Sequence, residues 1–215
     1  MSSEQQRHTT LVLSTSLCPL LWEWGGRCSF YHAAGYSPTQ TRLPLPFLNR
    51  KLKLSDNNRK VTWGKELQSY PDHPDRFDNW WSQLLCRTGL TGRCYWEVKW
   101  RGEVNVSVSY RGIRRRGCSD ECVFGFNDQS WSLICSDRGY SVYHNNIRTE
   151  ISPPPPLLLL LLLLLFSSDT LIHLHTFNTT FTEPLYPGFV LVSGSSVSLC
   201  GLMVHSGAAQ VLQVS

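Results

Sequence analysis

The side chains able to do chemistry are scattered along this sequence rather than gathered. His173 and His175 share one face of an extended segment, where two imidazoles could grip a metal ion. No carboxylate or third ligand lies near them in sequence, so two unliganded strand histidines are the simpler account. Cys118 and Cys122 are four apart, and no second cysteine or histidine pair follows at zinc-ligand distance. There is no Gly-x-Ser-x-Gly elbow to expose a nucleophile, no His-Glu-x-x-His for a hydrolytic metal, and no glycine loop to cradle phosphate. The expectation is therefore no enzyme, no cofactor and no metal. What remains is recognition chemistry. Arg111, Arg114, Arg115 and Arg116 form the densest positive cluster, with Asp120 and Glu121 just after. Guanidinium groups suit an acidic protein partner, because they donate in a rigid fork and are enriched at interface hot spots. The plainer account is a solvated loop whose charges pair locally, each exposed pair worth about 0–1 kcal/mol. Trp80 and Trp81 are either packed under the preceding segment or aromatic anchors for a partner. Tyr140, Tyr143 and His144 face a turn and could border the same surface.

These residues need a scaffold, and the scaffold reads as strands. In Cys94–Trp100, residues 94, 96, 98 and 100 fall on one face, and Tyr95, Glu97 and Lys99 on the other. After Arg101-Gly102-Glu103, Val104, Val106, Val108 and Tyr110 alternate with Asn105, Ser107 and Ser109. Period-two alternation on both sides of a glycine turn predicts a β-hairpin that buries Trp96, Val98, Trp100, Val106 and Val108 together. Lys51–Leu54, Val61–Trp63, Trp131–Ser136, Tyr140–Asn145, Leu171–Phe177, Phe189–Val192 and Val197–Leu199 are further strand candidates. Tyr70-Pro71-Asp72-His73-Pro74 is a loop, since its prolines cannot donate to a ladder. No segment has a helical period. Many short strands separated by turn signals indicate an all-β, two-sheet antiparallel sandwich.

Length and composition agree. The 215 residues are 41% hydrophobic and 12% aromatic, enough for one sizeable core and too apolar for general disorder. A net charge of +4 without a clustered basic face argues against nucleic acid. The eight cysteines, notably Cys94, Cys135 and Cys200 in strand patterns, are expected to be buried, reduced thiols.

Five motifs in order resemble the PRY–SPRY (B30.2) family. Leu52-Lys53-Leu54-Ser55-Asp56-Asn57-Asn58-Arg59-Lys60-Val61 is similar to the PRY segment, and Tyr70–Phe77 continues it. Gly89–Val98, built on Trp96-Glu97-Val98, resembles the opening SPRY strand. Phe124–Leu133 resembles the next core strand, and Pro184-Leu185-Tyr186-Pro187-Gly188-Phe189 the closing motif. The likeness covers roughly residues 49–151 and 169–203, and is nearest to fish domains of tripartite-motif ubiquitin ligases and NACHT/leucine-rich-repeat immune receptors. It implies a concanavalin-like jelly roll that recognises a protein in innate-immune sensing or ubiquitin-ligase substrate selection. Variable loops at one end of the sandwich would do the binding, and a standard interface would bury about 800 Å² on the partner. The Arg111–Arg116 loop resembles one of those variable loops. RING, B-box, coiled-coil, NACHT and leucine-rich-repeat signatures are not found in these residues, so their activities do not carry over.

Two motifs depart from the family. Leu43-Pro44-Leu45-Pro46 stands where PRY normally opens with Leu-Asp-Pro. Between Ser152 and Ser167, where a Val-Tyr-Leu-Asp-Tyr strand belongs, four prolines run into nine leucines. Homopolymer is a poor core strand, since cores need shaped side chains that interdigitate. The tract has the form of a repeat expansion or frameshift, and the alternative reading is a degenerate fragment with an incomplete core and no binding function. The expected layout is an irregular lead-in over 1–48, a PRY–SPRY domain over 49–203 interrupted at 152–167, and a tail over 204–215.

Leu11–Trp22 is apolar but broken by Ser14, Thr15, Ser16 and Pro19, with no clean cleavage site after it. The leucine run is far shorter than the roughly 20 residues a membrane span needs. The expectation is a cytoplasmic chain without membrane contact, in which the sequons at Asn105 and Asn178 have no role.

Overall fold

The structure, a computed structural model, describes residues 7–14, 36–38, 43, 47–78, 80–90, 93–151, 174–177, 179–205 and 211–214. They form two antiparallel sheets. The first contains β1 (Arg7–Ser14), β2 (Tyr36–Pro38), β3 (Leu52–Ser55), β4 (Lys60–Trp63), β6 (Arg93–Arg101), β11 (His175–Phe177), β13 (Ser196–His205) and β14 (Val211–Val214). Its order is β11-β14-β1-β6-β13-β4-β3, with β2 also paired to β13. The second contains β5 (Gln83–Leu85), β7 (Val104–Ser109), β8 (Ser130–Ser136), β9 (Gly139–His144), β10 (Ile147–Ile151) and β12 (Tyr186–Leu191). Its order is β10-β9-β8-β7-β12-β5. A 3-10 turn at Asp120–Cys122 interrupts the long β7–β8 connection.

Local chemistry sets the turns. Asp56, Asn57 and Asn58 link β3 to β4, all at positive φ, and Asn145 and Asn146 do the same between β9 and β10. Asn and Asp tolerate this left-handed region better than other side-chain-bearing residues.

The core lies between the sheets. Val98, Trp100, Val197 and Leu199 of the first sheet meet Val104, Val106, Val108, Trp131, Leu133, Phe189 and Leu191 of the second. The expected hairpin of residues 94–110 is not formed. β6 pairs with β1 and β13, whereas β7 pairs with β8 and β12. Arg101-Gly102-Glu103 is a corner that carries the chain from one sheet to the other, with Gly102 at φ +72 against Ser195. Val98, Trp100, Val106 and Val108 are buried together as expected, but across the sandwich; the Trp96 side chain lies outside the described residues.

The stretch expected to be an irregular lead-in contributes β1 and β2, and the expected tail contributes β14. β1 lies between β6 and β14, in register Leu11↔Trp96 and Leu11↔Val214. Its run of Thr, Leu and Val suits a paired strand, but it lacks the polar alternation that marks a half-solvated one. The Pro/Leu tract over 152–167, His173 and Asn178 lie outside the described residues.

Candidate functional site

The outer face of the second sheet positions the arginine segment. Along β12 and β5, Phe189 and Leu84 point into the main core, so Val190 and Leu85 point outward. There they meet Phe77, Ile113 and Phe124 in a second buried cluster, with Tyr186 packed beside it. The β7–β8 connection therefore lies over the sheet as a cover rather than at one end of the sandwich. Small residues make the close approach possible. A Cβ on Gly188 would come within 2.8 Å of the Phe124 ring, and one on Gly125 within 2.7 Å of the Tyr143 Cβ. Beneath the cover, the Ser107 and Ser132 hydroxyls bond each other at 2.8 Å.

The cover is tied to the segment before β5. The Gln83 side-chain amide donates to the Cys122 carbonyl, and the Asn49 amide to the Asp78 carbonyl. Asp78 is the hub. Its backbone N–H donates to the Arg115 carbonyl at 3.1 Å. Its carboxylate accepts from Gly117 N–H at 2.6 Å and from Trp80 N–H at 3.3 Å. Arg76 spans the same segment, donating to the carbonyls of Leu48 at 2.5 Å and Pro71 at 2.7 Å.

The four arginines have different environments. Arg115 is half-buried over the rings of Phe77 and Phe47, at 5.0 and 5.6 Å from their centroids, and donates to the Arg111 carbonyl at 2.9 Å. Burial draws its guanidinium below the usual arginine range, against the opposing pull of Asp75. Arg111 lies over Phe47 and Tyr186, at 5.2 and 5.5 Å. Both contacts are within the ~6 Å reach of a cation–π attraction. Arg114 is exposed and paired with Glu121 at 2.5 Å. Arg116 is exposed.

Trp80 is 70% exposed, while Trp81 beside it is half-buried. The Asp78 hub thus brings Trp80 together with the Arg114–Gly117 stretch. Tyr143 meets the cover at Gly125 and Phe126: its ring stacks on Phe126 at 5.0 Å and carries Arg148 above it at 5.8 Å. Tyr140 and His144 turn the other way. Tyr140 packs against the main core, and His144 stacks on Trp131 at 4.6 Å while its Nδ1 meets the Ser130 carbonyl at 2.9 Å. The two are not brought to Trp80. Sequence reasoning missed Asp78, Phe47 and Phe77; each is an ordinary loop residue until its partner 30 or more positions away is known. His175 lies on β11, and among the described residues no three His, Cys, Asp or Glu side chains gather as a metal site. Cys86 and Cys122 are buried free thiols, Cys135 is buried and Cys118 is exposed; the side chains of Cys94 and Cys200 lie outside the described residues.

The two-layer antiparallel sandwich and the likenesses that follow support a PRY–SPRY domain in this chain. Residues 48–90 match the model of PRY, the SPRY-associated domain. More particularly, the chain is 38% identical over 157 residues to stonustoxin subunit alpha of Synanceia horrida, covering 66% of this chain and 22% of that one. It is 32% identical over 173 residues to tripartite motif-containing protein 14 of Mus musculus, covering 74% and 39%. The chain therefore spans about a fifth to two fifths of the length of these relatives. The stonustoxin structure superposes with a TM-score of 0.63 at 30% identity, over 74% of this chain and 28% of that one. The TRIM65 PSpry domain shares the fold, with a TM-score of 0.61 at 21% identity over 86% and 97%. Domains of this class are protein-interaction modules.

Proposed function

We propose that this chain is a non-enzymatic, cytoplasmic recognition module whose partner-binding face is centred on Trp80 and the outward guanidiniums of Arg114 and Arg116. The observation that carries the reading is the Asp78 hub, which holds a 70% exposed tryptophan beside the arginine segment. An exposed indole next to arginines, on backbone tied to the same carboxylate, has the composition of an interface hot spot. Arg111 and Arg115, over Phe47 and Phe77, position this face; Trp81 adjoins it in sequence, and Tyr140, Tyr143 and His144 are left outside it. The motif resemblance to tripartite-motif ubiquitin ligases and NACHT/leucine-rich-repeat receptors makes its role ubiquitin-ligase substrate recognition or innate-immune sensing. A partner identified by proximity labelling and then purified tests the site. Trp80→Ala, and Arg114→Glu with Arg116→Glu, should each weaken binding by roughly 2 kcal/mol or more in calorimetric titration. Both should leave the melting temperature unchanged. Arg138→Glu, on the exposed β8–β9 turn, should bind normally. Full affinity in the Trp80 and arginine variants would overturn this site.

A further inference from the structure

The arginine segment ends at a hydroxyl that no contact described above uses. Ser119 follows Arg116 by three places and Arg114 by five, in the run Arg114-Arg115-Arg116-Gly117-Cys118-Ser119. Arginines at these two spacings suit the substrate groove of an arginine-directed serine kinase, where kinase carboxylates take each guanidinium through charge-assisted hydrogen bonds. Thr10, Thr62 and Ser141 also follow an arginine by three places. Each of those lies in a strand hydrogen-bonded on both sides: β1 between β14 and β6, β4 between β3 and β13, and β9 between β8 and β10. A kinase groove cannot engage a hydroxyl there without dismantling a sheet.

Ser119 is different. Arg114, Arg116, Gly117, Cys118, Ser119, Asp120 and Glu121 are all exposed, and Ser119 has extended backbone at φ −77, ψ 158. Its hydroxyl makes no capping hydrogen bond and only a long one, at 4.0 Å, with the Cys122 sulfur. The segment lies outside both sheets, so presenting it costs loop contacts and no sheet pairing: the two hydrogen bonds to Asp78, the Cys122 thiol and N–H bonds to the Arg116 and Ser119 carbonyls, and the Arg114–Glu121 pair.

We propose that Ser119 is a phosphorylation site for an arginine-directed serine/threonine kinase. The Ser119 Oγ attacks the γ-phosphorus of magnesium-bound ATP, the bond to ADP breaks, and the hydroxyl proton passes to a kinase carboxylate. The product is a phosphoserine monoester and ADP. The new dianion lies within the same loop as Arg114 and Arg116 and competes with Glu121 for the Arg114 guanidinium. It converts the charge of the face beside Trp80 from positive to negative, and so switches partner preference. That consequence rests on the binding face and cytoplasmic placement proposed above; the phosphoryl transfer itself does not.

The test uses the folded full chain, the catalytic subunit of an arginine-directed kinase and magnesium ATP, with fragment mass spectrometry to place the phosphate. One phosphate is expected on Ser119, and none there in Ser119→Ala. Arg116→Ala should slow the transfer by roughly tenfold or more, the loss of one charge-assisted contact. Both variants are surface changes, and unchanged melting curves confirm that they fold. Absence of phosphate at Ser119, preferential labelling of Ser141 or Thr62, or an equal rate in Arg116→Ala would each overturn the assignment. A change in partner affinity on phosphorylation tests the binding face separately.

Discussion

Cysteine 86 and cysteine 118 show how burial separates residues of one type. Cys86 is 1% exposed within the main core, and desolvation pushes its thiol up from 9.0 to about 12. Cys122 is also raised, chiefly by desolvation, with the Ser119 hydrogen bond and Arg114 opposing. The thiolate is the nucleophile, so these side chains are inert where Cys118 is open to solvent. In native protein near neutral pH, a maleimide should label Cys118 within minutes and leave Cys86, Cys122 and Cys135 unmodified until denaturant is added. Early labelling of Cys86 by peptide mapping would contradict the packing. The sign of the pH effect follows. The unfolded chain releases the Cys86 proton near 9.0 and the folded chain only near 12. Unfolding therefore releases a proton between those values, and the Cys86 contribution to stability is intact below about pH 9 and falls as pH rises toward 12.

Strands β3, β4, β6 to β9 and β11 to β13 were legible in the sequence, whereas their partners, and β1, β2, β5, β10 and β14, were not. Cys94–Trp100 and Val104–Tyr110 alternate clearly, and β6 and β7 match them within a residue or two. Alternation reports that one face is buried; it does not report in which sheet. A hairpin and a corner between facing sheets bury the same side chains, and only the turn tells them apart. Gly102 serves either: here it turns at φ +72 so close to Ser195 that a Cβ would come within 3.1 Å. β1 was hidden for a different reason, because the Thr, Leu and Val of Arg7–Ser14 give no polar face to read. In the site, the exposed arginines and Trp80 were legible by type. That Arg115 is half-buried over Phe47 and Phe77 was not, since those rings come from far earlier in the chain. The corner has a measurable consequence. Trp100 on β6 is 2% exposed and packs into the space between the sheets. Trp100→Ala should cost roughly 3–5 kcal/mol, a cavity that the opposite sheet cannot collapse to fill. An unchanged urea midpoint would show that the indole is not in the core.

At the scale of the molecule, the PRY segment and the sandwich behave as one body. Residues 48–90 supply β3 and β4 to the first sheet and β5 to the second, so they bracket the core from both sides. They also supply Phe77 and Leu85 to the outer cluster, and the Asp78 hub that fixes the arginine segment. Removing them would strip β4 from β13, β5 from β12, and bare Ile113, Phe124 and Val190 to water. At about 25 cal/mol per Å2 of apolar surface, uncovering several large side chains costs a substantial part of a domain's marginal stability. The full chain should therefore unfold in a single transition, with tryptophan fluorescence and far-ultraviolet circular dichroism giving the same midpoint. Arg115→Ala, which severs the cover from Phe47 and Phe77, should lower that midpoint without splitting the transition, by about 1–3 kcal/mol for a half-buried guanidinium with ring and carbonyl partners. Arg114→Ala, losing an exposed ion pair, should change it by less than about 1 kcal/mol. Two separated transitions in the parent chain, or equal effects from the two arginines, would mean that PRY is an independent layer and that the arginine segment is not what joins it to the sandwich.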